Sequence, residues 1–137
     1  PEEAGSINQE LSKNKLCQIF LASPTTEDKR LKAIARYSSG YLYYVSLKGI
    51  TGSSLLSYQP IKKRIKRIKK LSNNKIPVTV GFGIKTPEAA RKISMFCDGI
   101  IIGSSIVELI DKNRKNKALM HKKVNHFVKS VKSSLVN

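Results

Sequence analysis

The sequence has few cysteines and no long apolar run, and each of these absences removes a class of protein. Only Cys17 and Cys97 occur in 137 residues, and neither belongs to a Cys-x-x-Cys pair. A disulfide framework is therefore excluded, and a reducing compartment is the simpler interpretation. No stretch has the length and hydropathy of a membrane span or a signal peptide. The chain begins at Pro1 without Met or a basic leader, and we interpret this start as a cut.

Acidic residues are also scarce. The sequence has nine Asp and Glu residues and 26 Lys and Arg residues, which gives a formal net charge of +17 and a pI near 10.1. This balance raises nucleic acid or an anionic surface as a partner. Lys predominates, however, beside many Asn, Ile and Ser, a mixture that mutational bias in an AT-rich genome also produces. We prefer that compositional explanation.

The run IKKRIKRIKK, from Ile61 to Lys70, matches a generic polyanion-binding or nuclear-localisation pattern. Its isoleucines fall on one helical face and its basic residues cover the rest. We therefore predict the solvated outer face of a packed helix. His121 and His126 lie five residues apart without a neighbouring carboxylate cluster, so no metal site is predicted.

Four short apolar runs predict buried strands, each followed by a helix. Thr25 with Asp28 resembles a capping box, Gly40 resembles a helix stop, and Thr86-Pro87-Glu88 is a strong helix start. Continuous apolar strands alternating with amphipathic helices predict a parallel sheet. A doubly wound sheet and a (β/α)₈ barrel are the two candidates, and four units make half a barrel. The predicted strands are Leu16–Ala22, Tyr41–Ser46, Ile76–Val80 and Gly99–Ile102.

Small residues end the last two predicted strands, as Gly81-Phe82-Gly83 and as Gly103-Ser104, just before a helix begins. A helix N-terminus presents unpaired N–H groups and partial positive charge, which suit a phosphate dianion. In (β/α)₈ barrels the loops after strands seven and eight form the usual phosphate site. If this chain is the second half of such a barrel, its last two strands are those strands, and the pattern predicts a phosphate site at their ends.

Several motifs together resemble the tryptophan synthase alpha chain family. They are YLYYVSLKGITG at 41–52, GFGIKTPEAA at 81–90 and DGIIIGSSIV at 98–107, with IFLASPTT at 19–26 and the opening PEE. The resemblance covers nearly the whole chain. It implies that residues 1–137 are the C-terminal half of a single (β/α)₈ TIM-barrel domain, with four parallel strands alternating with helices.

The resemblance implies a lyase of tryptophan biosynthesis that cleaves indole-3-glycerol phosphate to indole and glyceraldehyde 3-phosphate. It implies no cofactor in this chain. The partner is a beta chain that carries pyridoxal phosphate, in an alpha2beta2 tetramer. The implied phosphate-binding residues are Gly52, Gly83, Gly103 and Ser104. The indole side involves Tyr43 and Phe82, and Thr51 matches the loop residue that hydrogen-bonds the catalytic aspartate.

Two departures qualify what the resemblance implies. The family's catalytic Glu and Asp fall upstream of Pro1, and no acid of this sequence replaces them, so we expect this chain alone to be inactive. After Gly52 the family often has Ala-Arg, whereas this chain has Ser53 to Leu56, so loop closure is expected to differ.

Two other functions remain open from the residues alone. One is another phosphate-binding barrel enzyme of histidine or tryptophan biosynthesis, which would lack the GITG loop. The other is a basic nucleic-acid-binding module acting through Lys62 to Lys70. The AT-rich signature slightly favours a plastid, the chloroplast stroma, over a bacterial cytoplasm.

Overall fold

The structure, a computed structural model, describes residues 3–46, 58–81 and 83–135. Within these ranges four strands pair in the order β1-β2-β3-β4, all parallel. Each strand is followed by a helix, which confirms the predicted α/β class with a parallel sheet. The elements are α1 Ala4–Lys13, β1 Phe20–Ala22, α2 Asp28–Tyr37, β2 Leu42–Val45, α3 Gln59–Leu71, β3 Val78–Gly81, α4 Pro87–Ser94, β4 Gly99–Ile101, α5 Ser104–Asn113 and α6 Lys117–Ser134.

One face of the sheet carries the core. Alternate residues of β2 and β3 are fully buried on this face, because successive side chains of a strand point to opposite sides. They pack against the apolar stripes of the helices, including Ile65 and Ile68 of α3 and Ile93 of α4. The buried strand residues are Leu42, Tyr44, Val78 and Val80.

The opposite face, which we call the inner face, carries no charged residue among the described strands. Parallel register aligns Leu21, Tyr43, Thr79 and Gly99 in one row across it. A second row contains Val45, Gly81 and Ile101. Leu21 is 59% exposed there. In a chain with 26 basic residues, an uncharged sheet face is a surface built for burial.

All four strands have different bounds from those predicted: β2 lacks Tyr41 and Ser46, β4 lacks Ile102, and β1 and β3 differ more. β1 contains only Phe20–Ala22. The segment before it is held to Ser39 by one pair of hydrogen bonds and does not continue the strand. The Gln18 N–H donates to the Ser39 hydroxyl at 2.9 Å, and the Ser39 N–H donates to the Gln18 carbonyl at 3.0 Å. β3 begins two residues later than predicted, after Pro77, and extends to Gly81.

The two predicted boundary signals of α2 were wrong. Glu27 is the N-cap residue and makes no side-chain cap. Thr25 hydrogen-bonds instead to the Ser23 hydroxyl at 2.9 Å, because short-range hydroxyl pairing competes with capping. The helix ends at Tyr37, before Gly40. Gly40 has φ +85° in the turn that leads into β2, where a side chain would be strained.

The predicted outer face of α3 is largely exposed, as expected, but three of its cations form ion pairs. Asp28 of α2 accepts from Arg67 Nε at 2.9 Å and pairs with Arg64 Nη1 at 3.4 Å. Arg64 also donates to the Thr26 carbonyl. Lys69 Nζ lies 2.7 Å from Asp98 Oδ1. These contacts tie α3 to α2 and to the segment before β4.

None of the described helices is long and apolar enough to cross a membrane.

Candidate functional site

The carboxyl ends of the strands meet at one edge of the sheet, because all four strands are parallel. This carboxyl edge holds Gly83 after β3 and Gly103 and Ser104 after β4. The sequence prediction therefore assigned these three residues to a single edge correctly. Whether they bind phosphate remains a prediction.

The N-terminus of α5 is open at this edge. Gly103 is its N-cap, and no side chain caps the helix, whereas Thr86 caps α4 and Asn116 caps α6. The first N–H groups of a helix lack partners within the helix and carry partial positive charge. Gly103 and Ser104 are exposed, and a Cβ on Gly103 would meet no atom within 4 Å. The α5 N-terminus therefore leaves room for an anion to approach its N–H groups.

Ser105 connects the two strand ends, and sequence reasoning missed it. Its Oγ donates to the Ile84 carbonyl at 3.3 Å, across 21 residues of sequence. Ile84 follows Gly83 directly and is buried. The hydrogen bond therefore fixes the loop after β3 against the first turn of α5. The only sequence signal was the pair of adjacent serines, which did not indicate which one faces the neighbouring loop.

Gly83 needs to be glycine for a backbone reason. Its φ of +75° lies in the left-handed region, which costs a residue with a side chain about 1–2 kcal/mol. The chain turns there between β3 and the capped start of α4. The Thr86 hydroxyl accepts from the Ala89 N–H at 3.2 Å, which confirms the predicted helix start.

Gly81 is glycine because of Tyr43. A Cβ on Gly81 would lie 2.5 Å from Tyr43 Oη and 2.6 Å from its Cε2, closer than packed atoms approach. The Tyr43 ring thus lies across β3 on the inner face, as strand alternation predicts. An aromatic surface therefore borders the carboxyl edge next to the polar strand ends.

Ser46 is a second residue that sequence reasoning left without a role. It is 2% exposed and follows β2 directly. Its N–H donates to the Gly81 carbonyl at 3.2 Å, and its hydroxyl lies 3.4 Å from the same oxygen. These bonds hold the end of β2 against the end of β3, beside Gly83.

Three predicted site residues, Gly52, Thr51 and Phe82, lie outside the described residues, and so does the departure at Ser53 to Leu56. Their predicted roles stay predictions.

Asp98 does not act at the carboxyl edge. It precedes β4, at the amino end of the sheet, and its Oδ2 accepts from the Val78 N–H at 2.8 Å. Burial raises its pKa, but the hydrogen bonds from Lys69 and Val78 and the Lys69 charge outweigh burial and lower it. Asp98 is thus an ionised structural group.

Among residues 3–46, 58–81 and 83–135, no three His, Cys, Asp or Glu side chains cluster as metal ligands would.

Comparison with known proteins identifies the family. The family model described as "Tryptophan synthase alpha chain" matches residues 1–136. The chain belongs to the tryptophan synthase alpha chain family. The family resemblance found in the motifs is therefore confirmed, and the alternative barrel enzymes gain no support.

Named relatives agree with this assignment. The tryptophan synthase alpha chain of Legionella pneumophila (strain Corby) is 43% identical over 110 residues, covering 80% of this chain and 40% of the relative. That of Petrotoga mobilis is 37% identical over 131 residues, covering 96% of this chain and 50% of the relative. This chain therefore spans about half the length of the curated relatives that it matches.

Solved structures agree as well. Tryptophan synthase subunit alpha from Legionella pneumophila str. Paris superimposes with a TM-score of 0.81 at 34% identity, covering 98% of this chain and 48% of the other. A Mycobacterium tuberculosis tryptophan synthase gives a TM-score of 0.80 at 28% identity, with 98% and 48% coverage. The described fold thus corresponds to about half of a tryptophan synthase alpha chain.

Proposed function

We propose that this chain is the C-terminal half of a tryptophan synthase alpha barrel and binds the phosphate of indole-3-glycerol phosphate. The observation that carries the proposal is the Ser105–Ile84 hydrogen bond, which holds the loop after β3 against the uncapped N-terminus of α5. Backbone N–H groups near Gly83, Gly103 and Ser104 then converge on one anion.

The uncharged inner face also supports the proposal that this chain is half of a barrel, because the side chains on that face are suited to burial. A (β/α)₈ barrel fills its interior with uncharged side chains contributed by all eight strands. The described sheet supplies four parallel strands and leaves Leu21 exposed on that face. Four further strands of the same protein would bury it and pair with the free edges of β1 and β4.

The proposed reaction is cleavage of indole-3-glycerol phosphate to indole and glyceraldehyde 3-phosphate, a lyase step of tryptophan biosynthesis. The chemistry needs a proton donor and acceptor at the bond that breaks. We assign neither role to a described acid, since Asp98 lies at the amino end of the sheet and Asp28 pairs with Arg64 and Arg67, and we propose that a Glu and an Asp preceding Pro1 fill these roles. This chain then contributes substrate binding, with Tyr43 and Phe82 bordering the indole and Thr51 assisting closure of the loop.

The proposed partner is the tryptophan synthase beta chain, which receives indole and carries pyridoxal phosphate, in an alpha2beta2 complex. This chain itself needs no cofactor in that scheme. The relatives named above are bacterial, which gives no support to a plastid, so we propose a bacterial cytoplasm as the site of action.

Binding of inorganic phosphate tests the proposed site. Because the chain is strongly basic, the control must distinguish a specific phosphate site from nonspecific attraction of phosphate to the basic surface. Gly103→Val should weaken phosphate binding by filling the open space before α5. Gly5→Val is the matched control, since a Cβ on Gly5 in α1 also meets no atom within 4 Å. Equal phosphate affinity in both variants would refute the site.

Catalysis is tested after the missing half is supplied. A full barrel carrying Gly83→Val should have a raised KM for indole-3-glycerol phosphate, and an unchanged KM counts against the phosphate role. The 137-residue chain alone should give no lyase rate, and a measurable rate would overturn the assignment of the catalytic acids to another segment.

A further inference from the structure

A groove in the helical layer is not used by the proposed function. It lies between α5, α6 and the first turn of α4 and has a volume of about 540 Å³. We call it the α5–α6 groove. It contains none of the candidate site residues. Its lining residues are Pro87, Leu109, Leu119, Lys122, Lys123, His126, Phe127 and Ser130.

The groove combines an apolar lining with lysines at its rim. Pro87, Leu109, Leu119 and Phe127 supply the apolar surface, and Leu119 remains 41% exposed. Lys122 and Lys123 of α6, both exposed, supply the cations, and no acidic residue is among the described residues that line the groove. Exposed apolar surface beside cations is typical of a surface that binds an amphiphilic anion.

The two acids of α5 pair with cations close to them in sequence and not with Lys122 or Lys123. The sequence of α6 contains five lysines, two histidines and no Asp or Glu. On α5, Glu108 pairs with Lys112 at 2.6 Å and Asp111 pairs with Arg114 at 3.4 Å. The groove therefore has an excess of positive charge at the rim of an apolar lining.

We propose that the α5–α6 groove binds a carboxylate with an apolar body, of the medium-chain fatty acid class. The volume lies within the range of about 300–1,000 Å³ that small-molecule sites occupy. The alkyl chain packs on Leu109, Leu119 and Phe127, and the carboxylate accepts hydrogen bonds from Lys122 or Lys123. Charge-assisted hydrogen bonds to an ammonium are stronger than neutral ones, which sets the orientation of the ligand.

Decanoate is the probe, used below its micellar concentration with the full 137-residue chain. Calorimetric titration should give saturable binding of one decanoate, and amide NMR shifts should fall on α5 and α6. The Lys122→Ala/Lys123→Ala double variant should bind about tenfold more weakly, the effect of one lost charge-assisted hydrogen bond. Neutral decanol should also bind more weakly than decanoate.

The matched control is Lys129→Ala/Lys132→Ala, which removes the same charge from exposed positions of α6 outside the groove. It should leave affinity within about twofold, because exposed charges at a distance are screened by salt. Since all four lysines are exposed, far-UV circular dichroism should be unchanged in both variants.

Several outcomes would overturn the proposal. Equal losses in the two double variants would indicate diffuse attraction to the basic surface. Shifts on Leu21 or Tyr43 would indicate binding to the inner face. Binding of an acidic amphipathic peptide to the groove, without saturable decanoate binding, would assign the surface to a protein partner.

Discussion

Replacing Gly81 by alanine puts a methyl group where the Tyr43 ring lies. The new Cβ would stand 2.5 Å from Tyr43 Oη, 2.6 Å from Cε2 and 2.8 Å from Cζ. All three distances are far below van der Waals contact, so the ring or strand β3 must move. Gly81 is paired in register with Val45 and Ile101, which limits movement of the strand.

The expected cost follows from overpacking. An extra methylene-sized group in a packed region costs about 1–3 kcal/mol. In a domain of this size that corresponds to a drop in Tm of about 3–10 °C. The assay is thermal and urea unfolding of Gly81→Ala against the parent, followed by circular dichroism.

A double-mutant cycle assigns the cost to the ring. In a Tyr43→Leu background the ring is absent, so Gly81→Ala should cost at least about 1 kcal/mol less than in the parent. Gly103→Ala is the matched control, because its Cβ meets no atom within 4 Å and its φ of −113° accepts a side chain. It should change stability by less than about 0.5 kcal/mol.

An unchanged Tm in Gly81→Ala would refute this explanation, since the ring would then swing aside without cost. So would an equal loss in the two backgrounds, which would assign the effect to the backbone of β3.

Three further predictions concern other residues. Asp98→Asn removes the charge that pairs with α3, and the unfolding free energy should fall by about 1 kcal/mol, a low value because the side chain is 39% exposed. Because the folded pKa of Asp98 is lowered, its contribution is present above the unfolded pKa of about 4 and is lost as pH falls through the folded pKa. The difference between the parent and Asp98→Asn in urea titrations should therefore shrink below about pH 4. Ser105→Ala should cost about 0.5–1.5 kcal/mol and weaken phosphate binding, measured by urea unfolding and titration. Cys17 is exposed, whereas burial raises the pKa of Cys97, so iodoacetamide should label Cys17 first and Cys97 only on unfolding, as peptide mass mapping would resolve.

Each of these has a contrary result. A pH-independent difference for Asp98→Asn would mean that its charge does not matter. Full phosphate affinity in Ser105→Ala would mean that the loop after β3 keeps its position without the hydrogen bond. Equal labelling rates for the two thiols under native conditions would mean that Cys97 is accessible.

Local signals predicted the fold well where the neighbouring residues alone decide the structure. Thr86 caps α4 because its hydroxyl reaches an N–H three residues away. Thr25 failed for the same local reason, since the hydroxyl of Ser23 offered it a nearer partner.

Contacts between residues that are far apart in the sequence could not be predicted from it. The reason for Gly81 lies on a neighbouring strand, in the ring of Tyr43. Ser105 acquires its role only when the loop after β3 lies beside α5. The predicted phosphate residues could be placed at one edge from strand order, but the hydrogen bond that joins their loops depends on packing.

The pairing of α3 with Asp28 and Asp98 has a consequence for how this sequence tolerates mutation. Helix α3 carries seven basic residues, and these two acids, from different elements, pair with three of them. An exposed lysine can be exchanged for arginine, or added, with little structural effect. The acids have no such redundancy in a chain with nine of them. We therefore expect surface positions to accept further basic residues, whereas replacement of Asp28 or Asp98 by a basic residue should be selected against.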